Sequence, residues 1–227
     1  MNWGPHLRGH LLQFDRRPAP AISAATGVRL LIGAVVLEVL CHGLPAMSLL
    51  VRLPLLLVMG LIAVRSSGLR FSEIGFRPWS AWTTTEKSYF IQVLLIANVV
   101  FPIALAGPIM ARLPQTGMAL RLLTVFVPYL FFGFYQEVVY RGMVQSALER
   151  WLGAWAIVVA NVLFTFGPLH WNYFFARASL AVPMLASIFA MGLYFGAVYY
   201  RSRNLWMPAV FHALGNAYMI WGAGPFD

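Results

Sequence analysis

Three short segments in the second half of the sequence set acid, base and amide side chains inside apolar stretches. The first is Tyr135-Gln136-Glu137-Val138-Val139-Tyr140-Arg141-Gly142, where Glu137 and Arg141 are four apart and share one helical face. The second is Phe164-Thr165-Phe166-Gly167-Pro168-Leu169-His170-Trp171, where His170 follows a Gly-Pro break. The third is His212-Ala213-Leu214-Gly215-Asn216, again with its two polar side chains four apart. Ionisable groups at membrane depth cost several kcal/mol unless paired or hydrated, so each is a functional candidate. Converged, these groups would form a water-activating site. A carboxylate can take a proton from water as it attacks a carbonyl, and an imidazole can share that proton. A second imidazole and an amide can donate to the developing oxyanion. The reaction class is amide hydrolysis within the membrane. Each segment also has a structural reading. Glu137 and Arg141 can be a neutralising ion pair, His170 an interfacial or capped residue, and His212 with Asn216 interhelical polar glue.

The elements that must position these groups are membrane helices. The chain is 60% hydrophobic and 10% charged, against about 25% charged in a soluble domain. The expected fold class is therefore all-α, a polytopic bundle of about seven transmembrane helices in one membrane domain over 28–227, after a polar cytoplasmic lead-in over 1–27. The spans are expected at 28–44, 49–64, 88–111, 118–148, 151–169, 178–200 and 205–221. The connection before the third carries Phe71, Phe76, Trp79 and Trp82 among basic residues, which suits the head-group level. Gly192 and Gly196 form a GxxxG packing motif. Glu38 and His42 read as a self-satisfying pair near the outer surface, and Gln92 and Asn98 as interhelical hydrogen-bonding residues.

The net charge of +9 does not indicate nucleic acid, because the 16 basic residues sit at span ends rather than in a patch. Placing the N-terminus in the cytoplasm puts eleven Lys and Arg inside and four (Arg52, Arg112, Arg121, Arg177) outside, with Arg141 within a span. The lone Cys41 excludes an internal disulfide, and the N-terminus has no continuous apolar region of a cleaved signal peptide.

The order Glu137-x-x-x-Arg141, Phe166-x-x-x-His170, His212-x-x-x-Asn216 resembles the CAAX protease and bacteriocin-processing family, abbreviated CPBP or Abi. The resemblance covers about 118–221. It implies seven or eight helices around a conical cavity and an endopeptidase that acts on a membrane-associated protein or peptide in the bilayer. It implies catalytic roles for Glu137, His170, His212 and Asn216, with Gln136 and Arg141 supporting. In the family picture a glutamate and the first histidine activate water without a metal, and the second histidine and the asparagine hold the oxyanion. The sequence departs at one position: the family's usual Glu-Glu-x-x-x-Arg is here Gln136-Glu137. An amide cannot act as a general base. Three readings follow: Glu137 is the base of a Gln-Glu branch; the protein is a silent relative that binds peptide or confers bacteriocin immunity; or Gln136 replaces a native glutamate. The Tyr-Gln-Glu and Tyr-Arg-Gly context is similar to bacterial members linked to surface-protein sorting, which implies a bacterial inner (plasma) membrane. The alternative is a Zn²⁺ site of Glu137, His170 and His212 with an open fourth position, although the spacing is not the compact His-x-x-x-His kind and Arg141 beside Glu137 would oppose a cation.

Overall fold

A computed structural model describes residues 17–43, 47–171, 174 and 181–223, except the side chains of 112–116 and 222–223. Most of the expected lead-in, 1–16, and Arg177 lie outside the described residues. The described chain is helical, with no strand among the described residues. We number its helices α1 (Ala24–Gly43), α2 (Leu49–Ser66), α3 (Thr84–Ala104), α4 (Ala106–Thr116), α5 (Met118–Leu152), α6 (Trp155–Phe166), α7 (Ala181–Ser202) and α8 (Trp206–Ala223).

Five of these, α1, α2, α3, α5 and α7, are long and apolar enough to cross a membrane. Their outward faces fit that environment. Val28, Ile32, Val35 and Val39 on α1, and Leu95, Val99 and Ile103 on α3, are exposed at three- and four-residue spacing. Such continuous apolar stripes are at home against lipid, where only fully hydrogen-bonded backbone survives. Of the seven spans expected, α6 is apolar but only 12 residues long, and α8, at 18 residues, is not among these five. The span expected over 88–111 is two helices, α3 and α4, parted at Leu105. Pro102 removes one backbone donor near the end of α3, and Pro108 fits the first turn of α4.

The centre of the bundle is α5. Every residue from Tyr135 to Ala147 is buried, so this helix meets protein on all sides. Tyr135, Val138, Val139, Met143 and Ala147 pack into a core with Leu30 and Leu37 of α1 and Leu53, Leu56 and Val64 of α2. Two stretches of α5 are π-helical, Leu122–Phe126 and Val138–Gln145. The second begins directly after Glu137, and π turns in long helices are frequent at functional sites. Gly153, at φ 53°, ends α5, with its N–H on the carbonyl of Glu149 at 2.9 Å.

The connection from α2 to α3 docks under the α7–α8 junction: Leu205 N–H donates to Gly75 O at 3.0 Å. It ends in a capping box at Thr83. The hydroxyl of Thr83 accepts the Glu86 N–H at 3.1 Å, and the Glu86 carboxylate accepts the Thr83 N–H at 2.6 Å. Glu86 also pairs with Arg77 and with Arg17, the latter at 2.9 Å. Trp79 stays half exposed while Trp82 is buried, and Lys87 lies over the Trp79 ring.

Candidate active site

The site forms where α5 and α8 touch. A Cβ at Gly133 would stand 2.6 Å from the backbone nitrogen of Ala213, so glycine is what permits this approach. One turn further along α5, two adjacent residues reach two residues of α8. His212 donates its Nδ1–H to Glu137 Oε1 at 2.7 Å. Asn216 Nδ2 donates to Gln136 Oε1 at 2.7 Å. Neighbouring helical residues point about 100° apart, which lets Gln136 and Glu137 span the α8 face that holds His212 and Asn216.

Glu137 is completely buried, at 0% exposure, and His212 is 8% exposed. The remaining carboxylate oxygen, Oε2, lies 3.4 Å from Arg141 Nε. Arg141 Nη2 in turn donates to Gly192 O of α7 at 2.8 Å, and its guanidinium lies over the Phe164 ring at 4.9 Å. The ion pair read from the four-residue spacing is therefore present, and the same carboxylate also holds a histidine.

The span expected over 151–169 is shorter in the structure, where α6 covers Trp155–Phe166 and ends before His170. Its 12 residues extend about 18 Å, short of a core of roughly 30 Å. The stop is local: Gly167 takes the extended backbone required before Pro168, and Pro168–His170 form one 3₁₀ turn. From Glu137 to the end of α5 is about 22 Å, so α6, returning from there, brings its end back close to the level of Glu137. His170 donates its Nδ1–H to the carbonyl of Phe164 at 2.8 Å. It meets the Phe164 ring edge-on at 4.7 Å, and the same ring meets His212 at 5.6 Å. No direct bond joins His170 to Glu137 among the described residues; Phe164 stands between the two imidazoles. Sequence reading missed Phe164, although its place four residues before Pro168 on a helix that must end there was a usable signal.

Both imidazoles therefore give their Nδ1–H to a protein acceptor and keep a lone pair on Nε2. Asn216 retains a second N–H, and Gln136 an unused NH₂. Among the described residues no three His, Cys, Asp or Glu side chains are placed to hold a metal ion. The Glu137 oxygens face His212 and the Arg141 cation, which opposes a second cation.

Glu38 and His42 pair as expected, at 3.9 Å, and the Tyr140 hydroxyl of α5 donates to the other carboxylate oxygen, Oε1. Asn98 bridges helices as expected, accepting from the Tyr218 hydroxyl at 2.9 Å, and Gln92 donates to Ser88 at 3.0 Å.

Compared with known proteins, residues 118–218 match the family described as Rce1-like, Type II CAAX prenyl endopeptidase Rce1-like. No curated protein and no solved structure matched the chain. The matched residues run from the start of α5 into α8 and include all three motifs. Residues 118–218 of this helical membrane protein, a little under half of the chain, are thus similar to the Rce1-like family of CAAX prenyl endopeptidases.

Proposed function

We propose that the protein is an intramembrane endopeptidase of the CAAX type, which hydrolyses a peptide bond in a membrane-associated protein or peptide. The observation that carries this reading is the 2.7 Å contact between Glu137 and His212, with Asn216 one turn away on the same helix face. Both Glu137 oxygens face protein partners, Oε1 the His212 imidazole and Oε2 the Arg141 cation, so the carboxylate is placed to orient rather than to take the proton. The proton passes through His212. Its Nε2 takes a proton from water as the oxygen attacks the carbonyl carbon, while Glu137 fixes the tautomer and stabilises the imidazolium. The amides of Asn216 and Gln136 donate to the oxyanion. As the C–N bond breaks, His212 returns the proton to the leaving nitrogen. His170 Nε2, across Phe164, accepts from the attacking water. A bacterial plasma membrane with a cytoplasmic N-terminus completes the reading, from the Lys and Arg distribution.

Purified protein incubated with a prenylated CAAX peptide tests it. Native protein should release the C-terminal fragment. Glu137→Gln keeps an acceptor for His212 but loses the charge, and should lower kcat by about 10²–10⁴. Undiminished cleavage by Glu137→Gln would remove the dyad. One observation favours a second reading, a silent peptide-binding relative: an amide, Gln136, occupies the usual first-glutamate position. Peptide binding without cleavage in the native protein, and cleavage acquired by Gln136→Glu, would select it.

A further inference from the structure

Beyond the motif, α5 carries a polar residue at every fourth position from the site to its own C-terminal end: Glu137, Arg141, Gln145 and Glu149. In an α-helix four-residue steps drift by about 40° each, so such a stripe would wind about 120° around the axis. The π-helical stretch Val138–Gln145 holds more residues per turn and keeps the stripe on one side. That side faces α7. Arg141 donates to Gly192 O at 2.8 Å and Gln145 to Gly196 O at 3.1 Å. Gln145 also donates to Glu149 Oε1 at 3.1 Å, and Glu149 pairs with Arg203 at 2.5 Å. Glu149 and Ser146 line a cavity of about 280 Å³ at this charged end of the bundle, together with Arg150, Tyr200 and Arg203.

Along the stripe hydrogen-bonding capacity is left over. Glu137 Oε2, Arg141 Nη1 and Gln145 Oε1 are buried without a hydrogen-bond partner among the described residues. So are Asn161 Oδ1 and Thr165 Oγ1 of α6, themselves four apart. Two of these side chains border the small-residue seam of α7. A Cβ at Gly196 would lie 3.1 Å from Gln145 Oε1, and one at Gly192 would lie 1.8 Å from Asn161 Oδ1, so both amide oxygens sit against the bare glycine backbone. Buried polar atoms are satisfied by protein or by ordered water, and a run of polar atoms beside glycines has the chemistry to hold water.

We propose that this stripe is a hydrated path, about 18 Å long, which connects the cavity at the C-terminal end of α5 with the Glu137–His212 pair. The role rests on the hydrolytic reading: each bond cleaved consumes one water, and the path supplies it by a route that the peptide does not occupy. The glycines of the GxxxG motif let the Gln145 and Asn161 amides close against α7 at the edge of the path.

Hydroxyl-radical footprinting of the purified full chain in detergent tests the path, because it modifies side chains that adjoin water. Phe164 and Tyr199 are 3% and 1% exposed and adjoin the stripe, while Met143, 0% exposed, packs towards Gly33 on α1. After normalisation for intrinsic reactivity, Phe164 and Tyr199 should be modified about fivefold more than Met143. Gln145→Leu should bring Phe164 down to the Met143 level and leave Tyr199, next to the cavity, modified; Gln145→Glu should keep both. Equal modification of all three in the native protein overturns the proposal, and this comparison decides even where Gln145→Leu fails to fold. With the prenylated peptide, Gln145→Leu should lower kcat and hold KM. Native protein that is modified along the path yet cleaves nothing removes the hydrolytic reading and keeps the path. Native protein that cleaves but shows no modification at Phe164 removes the path alone.

Discussion

Gly133→Ala tests whether the approach of α5 to α8 sets the chemistry. The added Cβ would stand 2.4 Å from Ala213 Cα, 2.6 Å from Ala213 N and 3.0 Å from the His212 carbonyl carbon, where ordinary contact starts at 3.4 Å. The shortfall of 1.0 Å at Ala213 Cα (3.4 less 2.4) is against backbone, so no rotamer change relieves it. Moving the helices apart by that amount stretches the Glu137–His212 hydrogen bond from 2.7 Å to about 3.7 Å, past the normal range. Overpacking of this kind costs about 1–3 kcal/mol of stability, and a displacement near 1 Å in a reacting geometry costs about 10² in rate. The expected result is therefore kcat/KM for the prenylated peptide lower by about 10², with a thermal transition in detergent lowered but cooperative. The control is Ala213→Gly in the same background. It removes a side chain and leaves the clashing N and Cα in place, so it should rescue neither property. A Gly133→Ala protein with native rate and stability, or one rescued by Ala213→Gly, would refute the backbone-contact reasoning.

Two other outcomes follow from the same geometry. Arg141→Met should destabilise by about 3–5 kcal/mol, since it leaves the buried Glu137 carboxylate without its cation; Arg141→Lys should fall between, because one ammonium cannot match the planar fork that reaches both Glu137 and Gly192. Denaturation in mixed micelles measures both. Exhaustive chelation should leave peptide cleavage unchanged, and loss of activity restored by Zn²⁺ would return Glu137, His170 and His212 to the role of ligands.

The sequence made the class of fold and the identity of the polar groups legible, because hydropathy and four-residue spacing are local signals. What it misplaced depended on small interruptions of apolar runs. Residues 151–169 read as one span because most are apolar, yet Gly153 and the Gly167-Pro168 pair trim the helix to Trp155–Phe166. That trimming is what carries His170 inward. Pairings across the bundle were invisible for a different reason. Glu38 and His42 do pair, but Tyr140, 102 positions away, also donates to the carboxylate. Nothing local announces that second partner.

The adjacent Gln136 and Glu137 show why partners, rather than motif position, assign chemistry. From sequence, the amide stands where a carboxylate is expected and the carboxylate stands where a structural ion pair is expected. In the structure both face α8, and each has its own partner. A carboxylate at 136 would only accept from Asn216; the amide there accepts from Asn216 and still has two donors to offer an oxyanion. It also leaves Arg141 and His212 with a single carboxylate to share rather than two crowded ones. Glu137 thus answers a cation on one oxygen and an imidazole on the other. A carboxylate so placed is a poor base for water and a good orienting group for histidine. On the proposed reading, an amide at 136 leaves the proton-accepting role to His212 of α8, which is 8% exposed where Glu137 is fully buried.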